Sequence, residues 1–205
     1  MYWYQILSLA SFVVCLIIYS FILLKIIRLG KPRDYAKPSG DIQAGIKYSF
    51  TGALNPRKKE SAYLHLPTYT AGLVYHAGTF LSLLLYVLSF FYLPYPDLMK
   101  IPIAVFLLIS GLAGLGILIK RISLKKMRTL SNPDDYLSNV LVTSLHFLTS
   151  FFLMGYAFAV YYLLTAFLFL YLPVGKLKHS VYFFAARYHL GVFFGSRNIW
   201  PPKNA

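Results

Sequence analysis

The sequence predicts an all-α fold, an integral membrane bundle of five transmembrane helices, and three observations carry that prediction. Apolar residues make up 58% of the 205-residue chain and charged residues only 13%, a balance far from that of a soluble domain. The apolar residues gather into runs free of Lys, Arg, Asp and Glu that approach or exceed the roughly 20 residues a helix needs to cross a bilayer. The cations are segregated: nineteen of the twenty Lys and Arg fall within 25–59, 120–128 and 176–203, and Lys100 stands alone on the opposite face. Positive loops stay in the cytoplasm. The expected topology is therefore a multi-pass protein of the cell membrane, with the N-terminus outside and the C-terminus cytoplasmic. The net charge of +14 follows from this topology and from contact with anionic lipid, and calls for no nucleic acid.

A single membrane domain, 1–205, is expected, with spans at about 5–28, 68–93, 101–119, 137–155 and 157–175 and a cytoplasmic tail at 176–205. The first span follows the aromatic Met1-Tyr2-Trp3-Tyr4 and ends at Lys25 and Arg28. It is too long, and basic at the wrong end, for a cleaved signal peptide. In the loop that follows, Ile42, Ile46, Phe50 and Leu54 recur every four residues. This is the pattern of an amphipathic helix lying in the membrane interface, its outer face open to a partner. Ser110, Gly111, Gly114 and Gly116 give the third span a small-residue face for close helix packing. The apolar stretch 137–174 is too long for one helix and is divided near Gly155. Cys15 is the one cysteine, which excludes a disulfide or a cysteine-ligated cluster within the chain.

The chemistry rests on histidines. The second span, 68–92, holds no charged residue and a single imidazole, His76, flanked by Gly72 and Gly78. An ionisable group at membrane depth is expensive and reads as functional. Glycines beside it leave a shallow place where a flat ligand can approach, which points to haem. His65 lies 11 residues earlier, three turns plus about 20°, so both histidines share a face about 16 Å apart along the axis. Its other reading is an interfacial hydrogen-bonding residue. His146 sits nine residues into the fourth span, close to the depth of His76, and is open to three readings: a ligand, a side chain satisfied locally by Thr143 or Ser144, or the lining of a quinone pocket. His179 stands at the cytoplasmic boundary beside Lys176 and Lys178, which suit haem propionates. His189 lies farther along the tail as a surface residue or partner contact.

In order and sidedness these features resemble the membrane cytochrome b (gamma) subunit of respiratory nitrate reductase and the related membrane subunits of heterodisulfide reductase and of sulfite-reduction-associated complexes. The residues that carry the resemblance are Ser61-Ala-Tyr-Leu-His65, Leu73-Val-Tyr-His76-Ala-Gly and Leu172-Pro-Val-Gly-Lys-Leu-Lys-His179. The loop from Gly40-Asp-Ile-Gln to Lys59-Glu-Ser is most similar to the sulfite- and heterodisulfide-linked branch. The resemblance implies a subunit that is not catalytic alone but serves a quinone-linked oxidoreductase. Such a subunit passes electrons between menaquinone or another quinone and a cytoplasmic iron-sulfur partner of heterodisulfide-reductase-like type, through one or two haem b groups. His76, His179, His146 and His65 are the candidate axial ligands. The chain departs from the nitrate reductase pattern where Tyr161 or Tyr162 stands in place of a span-five histidine. Two arrangements follow: His65 with His179 and His76 with His146 on two haems, or His76 with His179 on one. The competing function is a haem-free scaffold or small-solute transporter. A transporter more usually carries carboxylates or broken helices near the midplane, and these five spans contain no Asp or Glu. A hydrolase finds no nucleophile, base and acid in one leaflet.

Overall fold

A computed structural model describes residues 1–29, 35–55, 65–91 and 97–202. The 61–64 part of the first histidine motif and the proline-rich turn at 94–96 lie outside the described residues. The described residues are helical without a strand. The helices are α1 (Trp3–Leu29), α2 (Ile42–Phe50), α3 (Leu66–Ser89), α4 (Asp97–Ser123), α5 (Lys125–Thr129), α6 (Pro133–Leu153), α7 (Phe158–Tyr171) and α8 (His179–Ser196), with short 3-10 turns at Gly52–Leu54 and Lys176–Lys178.

Four of these helices, α1, α3, α4 from Leu98, and α6, are long and apolar enough to cross a membrane, and five spans result if α7 and α8 make up one broken span. The chain is a multi-pass membrane protein whose helices contact lipid. The expected division at Gly155 is present: Gly155 (φ 87°) and Ala157 (φ 56°) both take left-handed backbone conformations between α6 and α7, which glycine adopts freely and alanine rarely. The fifth span departs from expectation. Its helix ends at Tyr171 after 14 residues, because Pro173 lacks the N–H that would continue the ladder. Beyond it, where the sequence reads as a tail, α8 forms.

α6 begins four residues ahead of its expected start because a capping box opens it. The Asn132 side chain accepts from the Asp135 N–H and the Asp135 carboxylate accepts from the Asn132 N–H, each at 3.0 Å, with Pro133 in the first turn. This brings Asp135, nearly buried, into the helix. Its carboxylate is ion-paired with Lys176 and lies 3.6 Å from Arg121.

The chain divides into two compact units. The first comprises 1–15 and 65–177, and its interior inverts the pattern of a soluble protein. Ser8, Ser82, Ser110, His146, Thr149 and Thr165 are fully buried, while Phe80, Ile109, Val160 and Phe167 are exposed on the outside. Lipid is as apolar as leucine, so small polar residues that permit close approach and hydrogen-bond between helices hold such a bundle together. Ser8 Oγ of α1 lies 2.8 Å from both Tyr86 Oη of α3 and Thr165 Oγ1 of α7, and Ser150 Oγ of α6 donates to the Ala104 carbonyl of α4 at 3.1 Å. Leu85, Leu107 and Leu153 close one end of the interior. Phe152 stacked on Tyr161 and Phe169 tilted on Tyr86 fill another part.

The second unit comprises 16–64 and 178–205. Asp41 caps α2, its Oδ1 accepting from the N–H groups of Gln43 and Ala44 at 2.8 and 3.2 Å. The expected amphipathic helix is therefore present, but its packed face is the small one, Gly45 and Ser49. A β-carbon on Gly45 would lie 2.5 Å from Gly191 O and Gly195 Cα, and one on Gly191 would lie 2.5 Å from Ile46 Cα. α2 and α8 thus touch backbone to backbone, and Ser49 Oγ donates to the Arg187 carbonyl at 2.6 Å across the crossing.

Candidate functional site

α3 presents its imidazole to the outside of the first unit. His76 is exposed, and its Nδ1 lies 2.7 Å from the Gly72 carbonyl one turn earlier. A carbonyl only accepts, so Nδ1 carries the ring proton and the neutral ring keeps its lone pair on Nε2. This is the arrangement found at metal-bound histidines, where the far nitrogen donates to a backbone carbonyl and the near one is left for the metal. Beside it, a β-carbon added to Gly72 would meet nothing within 4 Å. His76 thus offers a ring nitrogen of the kind an axial histidine gives to a haem iron, and the position of Gly72 one turn away is open. Gly78, the second glycine of that expected shallow place, contributes no open space, because Ser110 of α4 fills it.

The structure places His146 differently from His76. It is fully buried in the first unit, with Nδ1 3.2 Å from Ser110 Oγ and Nε2 3.0 Å from Thr79 Oγ1. Both ring nitrogens face hydroxyls, and neither is free for iron in this arrangement. Tyr75 lies edge-on to the ring at 4.9 Å between centroids. Its own hydroxyl donates to the Asn139 carbonyl at 3.1 Å, with Thr143 Oγ1 at 3.3 Å. Thr143, offered by the sequence as a local partner for His146, instead serves Tyr75 and the Asn139 side chain. The partners of His146 come from α3 and α4, and sequence spacing gave no signal for Ser110, 36 residues away.

His65 is exposed just ahead of α3 and makes no side-chain cap. Eleven residues of helix separate it from His76, about 16 Å at 1.5 Å per residue, so the two do not share one iron. His179 opens α8 in the second unit and is exposed. His189, expected at the surface, is half-buried in the same helix, its Nε2 buried without a hydrogen-bond partner among the described residues. Also among the described residues, no three of His, Cys, Asp and Glu converge as ligands for a bare metal ion. Comparison with protein families, with curated proteins and with solved structures gives no match to this chain.

Proposed function

We propose that this protein is the membrane subunit of a redox complex of the cell membrane, with the N-terminus outside, holding haem b on His76. In this reading it passes electrons between a membrane quinone and a cytoplasmic iron-sulfur partner. The single observation that carries the reading is the state of the His76 ring: Nδ1 is committed to the Gly72 carbonyl at 2.7 Å, and Nε2, on an exposed side chain of a membrane-spanning helix, has no hydrogen-bond partner among the described residues. A bare polar nitrogen in hydrocarbon is costly, and coordination to iron removes that cost while using the tautomer already set. When bound, the haem supplies one-electron chemistry that a chain of this composition otherwise lacks.

The chain's own residues have distinct parts in this reading. Gly72 fixes the ring through its carbonyl and leaves the adjoining space open, and α3 sets the depth of the imidazole at about 15 Å along its axis from Leu66. Only one of the two arrangements drawn from the sequence avoids His146, which has no free nitrogen here, so we favour a single haem. The quinone and the iron-sulfur partner rest on the resemblance and on the basic cytoplasmic segments.

A reduced-minus-oxidised visible spectrum of the purified protein, with a haem-to-protein ratio, tests this. A b-type spectrum near one haem per chain, lost in His76→Ala and retained in His146→Gln, is the expected result. A colourless protein, or full haem retention in His76→Ala, overturns it.

A further inference from the structure

One side of α8 is apolar and uncovered, although the helix belongs to a unit rich in cations. Phe183, Arg187, Leu190 and Phe193 follow one another at intervals of four, three and three residues, so they share a helix face. The three apolar side chains of that face are exposed. The packed side of α8 carries Val181, Ala185, Gly191 and Gly195 instead. The Arg187 guanidinium lies over the Phe183 ring, 5.5 Å from its centre.

Two sets of contacts within the second unit fix where α8 runs. In its first turn Ser180 Oγ donates to Tyr19 Oη of α1 at 3.2 Å. The two helices frame there a groove of about 300 Å³ whose apolar lining includes Leu16, Leu23, Val181 and Phe184. Tyr19 lies six residues ahead of Lys25, about 9 Å inside the basic end of the α1 span. The first turn of α8 is therefore at acyl-chain depth. At the far end of α8 the Ser196 carbonyl accepts from the N–H groups of Ser39 and Gly40 at 2.8 and 3.2 Å, in the polar segment that follows α1. α8 thus leads from the acyl region to the polar margin of one leaflet.

We infer that this face of α8 binds anionic phospholipid, with Phe183, Leu190 and Phe193 against acyl chains and Arg187 on a lipid phosphate. Charge decides the occupant. Among its described residues the second unit has seven Lys and Arg against one carboxylate, Asp41, and Asp41 Oδ1 is occupied in capping α2. A guanidinium matches phosphate with its planar fork and is more weakly hydrated than an ammonium. Its stem lies along apolar surface while the head reaches the phosphate. A soluble protein covering the same face would have to enter the acyl layer to reach Phe183. The inference uses no histidine and no haem, and it holds for either orientation of the chain in the membrane.

The test uses the full-length protein with Leu190→Cys, spin-labelled, in nanodiscs of phosphatidylcholine and phosphatidylglycerol; Cys15 is buried and stays unlabelled. The expected result is a nitroxide that collides with dissolved oxygen and is shielded from an aqueous nickel complex. A label open to nickel with no partner protein present overturns the inference and gives the face to a soluble partner, and a label closed to both reagents overturns it too. Native mass spectrometry of the delipidated protein, titrated with each lipid, reads the charge. Wild type is expected to retain phosphatidylglycerol over phosphatidylcholine. Arg187→Gln lowers the phosphatidylglycerol affinity about fivefold, the contribution of one cation near an anionic surface, and leaves phosphatidylcholine unchanged. Arg187→Lys keeps the charge and recovers most of the loss. Equal retention of the two lipids by wild type, or undiminished phosphatidylglycerol in Arg187→Gln, counts against the site. The label at 190 is read with Arg187 intact, so it decides the face even where Arg187→Gln does not fold.

Discussion

Ser110 fills the space that a β-carbon on Gly78 would occupy: both its Cβ and its Oγ stand there, with the His146 ring edge 3.4 Å away. Glycine at 78 is thus the condition for α4 and α6 to bring their polar groups against α3. Gly78→Ala forces Ser110 out of a filled interior, and overpacking of this kind costs about 1–3 kcal/mol. Gly116→Ala meets nothing within 4 Å and is expected to be neutral or slightly stabilising, since alanine is the better helix former. Unfolding of the two variants side by side in detergent reads the difference. Equal stability would mean the helices do not approach so closely.

Gly72 separates the haem reading from stability. The position is open, so Gly72→Leu is expected to leave the unfolding midpoint unchanged or raised while lowering the haem-to-protein ratio at least several-fold by occupying the approach to His76 Nε2. Undiminished haem in Gly72→Leu would move the cofactor away from this face of α3.

Asp135 ties three elements together through its capping bond to Asn132 and its ion pairs with Lys176 and Arg121. Its side chain is 6% exposed and that of Lys176 53%, which makes the two partners unequal. Asp135→Ala loses the cap and leaves two cations facing an uncharged site, a cost of about 2–4 kcal/mol. Lys176→Met removes a half-solvated partner and is expected to cost under about 1 kcal/mol. Chemical denaturation of both variants checks the order, and the reverse order would mean that Lys176 anchors the cluster.

Sidedness is tested by labelling. The segregation of nineteen cations predicts that a cysteine at Ser39 is shielded from an impermeant thiol reagent in intact cells, and that one at Leu98, 88% exposed, reacts. Buried Cys15 serves as the unreactive background. The opposite pattern would place the basic surface, and any partner that docks on it, outside the cell.

The spans were legible because a run without charge as long as a bilayer is thick has few alternatives, and the break at Gly155 was legible because glycine invites a left-handed turn. α8 was not. Its position after Lys176, Lys178 and His179 made it read as a cytoplasmic tail although Val181, Phe183, Phe184, Val192, Phe193 and Phe194 are apolar, and its close packing, Gly191 and Gly195 set against α2, is a contact with residues far away in sequence. The same holds at the site. The freedom of His76 Nε2 depends on Gly72, four residues away and readable. The capture of His146 depends on Ser110 and Thr79, which no local pattern links to it. The amphipathic row of α2 was seen, yet its buried face is the glycine and serine between those residues, because backbone contact takes up less room than side-chain packing and leaves the larger residues outward.

The crossing of α2 on α8 also has a history in time. Gly45 leaves the ribosome long before Gly191 does. At common synthesis rates of 5–20 residues per second, α2 waits on the order of ten seconds for the surface it closes on. During that interval its small face is unfilled, and the nascent chain carries a helix whose mate has not been made. Truncation ahead of Gly191 makes that interval permanent, so C-terminal losses are expected to appear first as proteolysis within 40–55, far upstream of the missing residues.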